Sequence, residues 1–226
     1  MTFEYRIISI GALSVHELWK QQGPARTPHA TCTLIRTENR TILVDPGLPP
    51  EVITARLAER SGLTPADISD VFLTNFRPAH RWGLLAFPNA KWLIAEAERE
   101  AVGNLLVQQF QEAPDDQTRE TLRQEIALLQ RFEAAPDQVA PRVDLFPLPG
   151  YTPGTCGLLL PLTSTTILVA GDAVASAEHL EQGRVQRAAF NIEQARESLA
   201  EAIEIADVII PGHDNMLINP TRRPMG

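Results

Sequence analysis

The sequence predicts a layered α/β or α+β domain, and three observations lead there. Short apolar runs of strand length, bounded by turn residues, alternate along the chain with segments of helical period. Strand patterns open and close the chain, with a helical stretch between them. At 226 residues and 44% hydrophobic content, the chain can bury one sizeable core.

The elements follow in order. Glu4–Gly11, Ala30–Thr37, Thr41–Asp45 and Ser69–Thr74 read as strands, with Glu38-Asn39-Arg40 as a hairpin-like turn. Pro49–Arg60 reads as a helix, because prolines sit in its first turn, Val52, Ile53 and Leu57 share a face, and Gly62 follows its end. The middle of the chain is helical. Val102, Leu105, Leu106 and Phe110 fall on one face of a first helix, and Leu122, Ile126 and Leu129 on one face of a second, with Asp115-Asp116 at the N-terminus of the latter. Strand patterns resume at Arg142–Pro147, Gly157–Leu162 and Thr165–Ala170. A last helix starts at Asn191, an N-cap with Gln194 three residues on, and buries Ile192, Ala195, Leu199, Ile203 and Ala206. Asp207–Ile210 closes the chain as a strand. The reading is a single domain over 1–226 with a helical insertion at about 94–134, either a lid or a cover for the sheet.

Composition narrows the partners. The formal charge is −8 and no Lys/Arg-rich run occurs, which argues against nucleic acid or an anionic membrane, since phosphate binding needs clustered cations. A small-molecule ligand or a protein partner is expected instead. Met1–Ile10 has no apolar stretch of signal-peptide length, and no run approaches the roughly 20 apolar residues of a membrane span. Cys32 and Cys156 are far apart with no CxxC pairing, as expected for buried thiols in a reducing cytoplasm.

Five segments carry the chemistry: Ile42-Leu43-Val44-Asp45-Pro46-Gly47, Thr74-Asn75-Phe76-Arg77-Pro78-Ala79-His80, Pro149-Gly150-Tyr151-Thr152-Pro153-Gly154, Ala170-Gly171-Asp172 and Ile210-Pro211-Gly212-His213. In this order and spacing they resemble the metallo-β-lactamase superfamily, which includes glyoxalase-type thiolesterases and acyl-homoserine lactonases. The resemblance covers about four-fifths of the chain, and five weak motifs in register make one strong signal. It implies a four-layer αββα sandwich with the site on loops at one edge, where the two sheets meet.

The family's second segment reads Thr-His-x-His-x-Asp-His. Residues i and i+2 leaving a strand point the same way, so two imidazoles chelate one ion while the following Asp-His pair reaches a second. A histidine from the Pro-Gly-His loop completes the first shell, the Gly-Asp carboxylate bridges the ions, and the last Pro-Gly-His serves the second. Here Asn75 and Arg77 stand at the two first-site histidines, Tyr151 at the third, and Ala79 at the second-site aspartate. His80, Asp172 and His213 remain, a two-histidine, one-carboxylate set able to hold one zinc, iron or manganese ion with open positions. The resemblance therefore implies either no metal or one divalent ion per chain.

Asn75, Arg77 and Tyr151 are expected to line the ligand pocket. Arg77 reads either as a fixed cation for a substrate anion or as the structural partner of Asp172, with its guanidinium filling the vacated first site. In that second position it would stand about 4 Å from an ion at the other site, at a cost on the order of 4 kcal/mol per unit charge. Asp45 resembles the family's aspartate that orients the ligand-bearing loop without touching metal. Tyr151 is a poor nucleophile at neutral pH, given an ordinary pKa near 10. His16, His29 and His179 match no ligand position, and no base pairs with Cys156. Two functions stay open: a descendant lacking the two-metal hydrolase activity that binds a ligand or partner in the old pocket, or a single-metal hydrolase using His80, Asp172 and His213.

Overall fold

A computed structural model describes residues 3–21 and 23–222; Met1 and Thr2 of the N-terminal segment read above lie outside them. Two mixed sheets form the centre. The first contains β1 (Glu4–Ser9), β2 (Cys32–Arg36), β3 (Thr41–Val44), β4 (Asp70–Leu73), β5 (Lys91–Ile94) and β6 (Glu133–Ala134), hydrogen-bonded in that order. The second contains β7 (Gln138–Ala140), β8 (Val143–Pro147), β9 (Cys156–Pro161), β10 (Thr166–Gly171), β11 (Val208–Pro211) and β12 (Leu217–Ile218), again in chain order across the sheet. Strands β3 to β6 run parallel, as do β10 and β11, while the other pairs are antiparallel.

Side-chain alternation explains the layering. In β4, Val71 and Leu73 face the helices packed outside the first sheet, whereas Phe72 faces the second sheet. Leu43 and its neighbours Ile42 and Val44 divide in the same way. In β10, Ile167 and Val169 face the first sheet, and Leu168 and Ala170 face the last helix. Strands buried on both faces read as near-continuous apolar runs, and the result is a helix–sheet–sheet–helix sandwich.

The outer layers are α1 (Pro50–Ser61), α3 (Glu96–Glu112) and α4 (Asp116–Leu129) on the first sheet, and α5 (Ala177–Gln182) and α6 (Ile192–Ile205) on the second; α2 (Pro78–Arg81) is a single turn at the site. Gly62 ends α1 in the left-handed conformation at φ 71°. The Asn191 side chain accepts the Gln194 amide at 3.1 Å and caps α6. Both insertion helices fall between β5 and β6. β5 itself went unrecognised in the sequence, because Lys91-Trp92-Leu93-Ile94 is a short apolar run that periodicity does not separate from the helix after it. Leu105 departs from the expected packed face of α3 and is 52% exposed. It borders a cavity rather than the core.

Candidate metal and ligand site

The parallel strands set the position of the site. Asp45 follows β3, Thr74 and Asn75 follow β4, Asp172 follows β10, and His213 follows β11. Ligand-bearing loops gather at the carboxyl ends of parallel strands in this way. The backbone N–H of Cys156 donates to the Thr74 carbonyl at 2.9 Å, holding the two sheets together at that edge. Gly171 has φ 55°, and a Cβ there would lie 2.5 Å from Thr74 Oγ1. Only glycine allows the turn that delivers Asp172.

Five side chains make the centre. His80 Nε2 lies 2.7 Å from Asp172 Oδ2, and His213 Nε2 lies 2.9 Å from Asp172 Oδ1. The Asn75 amide donates to Asp172 Oδ2 at 3.0 Å, and the Gln186 amide donates to Oδ1 at 3.0 Å. The candidate ligand atoms of His80, Asp172 and His213 all fall within 4.8 Å of one another, and all three residues are buried.

A second ring of contacts fixes these orientations. His80 Nδ1 faces Asp45 Oδ2 at 3.0 Å, and His213 Nδ1 faces the His29 carbonyl at 3.0 Å. An Nδ1–H donated to each acceptor leaves both Nε2 atoms turned to the centre, the arrangement by which outer partners set the tautomer of metal-binding histidines. Asp45 also accepts from the Thr74 backbone N–H at 2.9 Å and its hydroxyl at 2.7 Å. It does so from a left-handed backbone at φ 50°, a conformation that is uncommon outside glycine and asparagine-like residues. Asn75 Oδ1 accepts the Arg77 N–H at 3.0 Å, a local turn that points the amide nitrogen toward Asp172.

Charge follows from this packing. Burial disfavours the His80 imidazolium, but the carboxylates of Asp45 and Asp172 outweigh it and raise its pKa to about 10. Burial likewise disfavours a charged Asp172, and the two imidazoles overcome it, holding the carboxyl well below its usual range. Burial, and then the charge of Asp172, push the Tyr151 phenol well above 10, with Arg77 opposing. Tyr151 therefore keeps its proton at neutral pH. Burial raises Cys156 to about 12, and its Sγ faces the Gly157 carbonyl at 3.6 Å; neither fits a thiolate nucleophile.

Arg77 corrects one expectation. Its side chain is exposed and makes no ion pair with Asp172; its Cζ lies 5.5 Å from the centroid of the Tyr151 ring. The physical reason lies in its neighbours. Two imidazoles and two amides already surround Asp172, and Pro78 starts α2 directly after Arg77, which carries its side chain outward. His16 and His179 are buried, and both contact Ser176 Oγ, at 3.1 and 2.9 Å; His29 is half-buried.

Sequence reasoning missed Gln186 and Glu98. Gln186 is 14 residues beyond Asp172 in a stretch without a motif. Glu98, fully buried in the first turn of α3, accepts from Phe76 N at 3.0 Å, Thr152 Oγ1 at 2.7 Å and Gly154 N at 3.1 Å, joining the Asn75 and Tyr151 loops. A buried glutamate in an otherwise solvated helix pattern left no sequence signal.

The sequence profile of the metallo-β-lactamase superfamily matches residues 26–213. The chain belongs to the metallo-β-lactamase superfamily. Among solved structures, a putative metallo-β-lactamase from Thermotoga maritima is 18% identical, with a TM-score of 0.68 over 96% of this chain and 99% of that one. A variant of AiiA from B. thuringiensis with N-decanoyl-L-homoserine bound at its active site is 21% identical, with a TM-score of 0.63 over 89% and 87%. AidC, a dizinc quorum-quenching lactonase, is 18% identical, with a TM-score of 0.62 over 77% and 67%. At these identities the likeness is one of fold. A comparison with curated proteins finds no match. Among the described residues, no helix is long and apolar enough to cross a membrane.

The residues present decide which part of a superfamily metal centre fits. The positions expected for the first site carry an amide at Asn75, an outward guanidinium at Arg77 and a protonated phenol at Tyr151. His80, Asp172 and His213 do fit one ion in donor type and burial. Their contacts of 2.7 and 2.9 Å are hydrogen-bond distances, which would lengthen to admit an ion between them.

Proposed function

We propose that this chain is a single-metal member of its superfamily, with one divalent ion at His80, Asp172 and His213, no second ion, and hydrolysis of a small-molecule substrate as its activity class. One observation carries the reading: both imidazoles present Nε2 to Asp172 while Asp45 and the His29 carbonyl hold their Nδ1 atoms. An ion held there supplies Lewis acidity toward a carbonyl or phosphoryl oxygen. Around it, Asn75 orients Asp172, Tyr151 stays protonated as a hydrogen-bond donor, and Arg77 offers a cation at the rim. The solved structures of similar fold include a lactonase and a lactone hydrolase that hold acyl-homoserine products, which supports ester-like or lactone-like substrates.

A second reading is a metal-free pocket that binds a ligand or partner. The amides of Asn75 and Gln186 favour it, because with the two imidazoles they surround Asp172 without any metal ion. Elemental analysis and native mass spectrometry of protein purified without chelators or affinity-column metal decide between the two. One equivalent of ion, lost in His213→Ala, is expected. Two equivalents overturn both readings, and none leaves the second. The cytoplasm is the proposed compartment, from the buried free thiols.

A further inference from the structure

Beside the buried centre lies a cavity of about 620 Å³, in the size range of small-molecule sites. It is bounded by the segment after Asn75, the segment after Tyr151, Phe190, and the inner faces of α3 and α4. None of His80, Asp172, His213 or Tyr151 lines it, so it is a separate compartment that shares two loops with the centre. Its walls are apolar, with Phe76, Val102, Leu105, Leu106 and Pro153 contributing. Two large apolar side chains stand open to water on its lining, Leu105 at 52% and Phe190 at 71% exposure.

The charges on this lining are unequal in availability. Arg81 is paired with Glu125 and stacks on Phe76 with its Cζ 4.2 Å from the ring centroid. Glu98 is committed to the three donors from Phe76, Thr152 and Gly154. Arg77 makes no ion pair among the described residues, and its guanidinium lies against Tyr151 at the edge shared with the buried centre. Arginine offers a planar fork of donors matched to a carboxylate or phosphate, and here that fork has no acid to engage.

We propose that this cavity binds a small amphipathic anion, its aliphatic or aromatic body between α3 and the Phe76 and Pro153 loops and its carboxylate or phosphate on Arg77. This deepens the reading of Arg77 as a ligand cation and does not depend on a metal. The Arg77 head site stands beside the Tyr151 ring, at the edge where the cavity meets the loops of the buried centre, and the body of the ligand lies between α3 and the Phe76 and Pro153 loops. The insertion helices thus form the wall of a binding site rather than a mere cover for the sheet.

The test is calorimetric titration with octanoate, octan-1-ol and octyltrimethylammonium, on the full chain both as purified and after chelator treatment. Octanoate is expected to bind one per chain, and tighter than either other probe, in both preparations. Arg77→Gln should weaken octanoate by about tenfold, the worth of a charge-assisted contact, and leave octanol unchanged. Leu105→Asp, at an exposed position that folding does not need, should weaken octanoate and octanol alike. Equal binding of octanoate and octanol, or an Arg77→Gln variant that keeps the preference for octanoate, overturns the proposal. Octanoate binding that appears only in protein carrying metal also overturns it, because the head would then sit on the ion. Protein with one ion but no octanoate site loses this proposal alone, and protein with an octanoate site but no ion loses only the metal reading.

Discussion

The guanidinium of Arg77 lies against the ring of Tyr151, with 5.5 Å from Cζ to centroid, and not against Asp172. This removes the source of the electrostatic objection to an ion at His80, Asp172 and His213. A cation turned outward and solvated repels far less than one held about 4 Å away inside the protein. Arg77→Ala is therefore expected to change stability by no more than about 0.5–1 kcal/mol, the worth of an exposed cation–ring contact. Urea unfolding midpoints of the two proteins measure this, and a loss of about 3–5 kcal/mol would mean a buried pair after all.

His80 has the opposite standing. It is buried between Asp45 and Asp172, so His80→Ala takes the imidazole from two buried carboxylates at once. In chelator-treated protein this variant should lose about 3–5 kcal/mol of stability. His213→Ala leaves Asp172 with His80 and two amides, so its loss should be smaller. Equal losses in the two variants, by chemical denaturation, would contradict the assigned contacts.

The first-site positions give a constructive prediction. Asn75→His, Arg77→His and Tyr151→His together should add one bound ion per chain, because they place imidazoles where the superfamily pattern has them. Native mass spectrometry with added zinc reads the stoichiometry. No gain in a folded triple variant would show that the loops hold these positions apart.

Glu98 should behave as a structural latch. Glu98→Gln cannot accept all three donors with a full charge, and a loss of about 1.5–3 kcal/mol is expected, together with faster amide exchange at Phe76 and Gly154. Unchanged exchange at those two amides would remove it from the role.

His179 supplies a pH dependence away from the centre. Burial, and then the neighbouring charge of His16, lower its pKa below 6.5. Below that value the unfolded chain takes a proton that the folded chain refuses, so the stability His179 contributes is present above about pH 6.5 and lost as pH falls. His179→Gln should flatten the fall in urea midpoint between pH 7.5 and pH 5.5. An identical slope in both proteins would count against it.

What the sequence determined by itself was local or ordered. Apolar runs marked most strands because both faces of those strands are buried, and Asn191 and Gly62 marked helix ends because capping is chemistry between near neighbours. Five motifs in register named the superfamily, and they singled out His80, Asp172 and His213, three side chains that the folded chain brings together. Contacts between distant segments were decided only by the tertiary structure. Nothing in the chain order shows that Gln186 reaches Asp172, that Glu98 joins two loops, or that the His29 carbonyl sets the tautomer of His213. Arg77 makes the point most sharply: spacing placed it beside a lone carboxylate, but spacing does not count partners, and the folded chain had already surrounded Asp172 with two imidazoles and two amides.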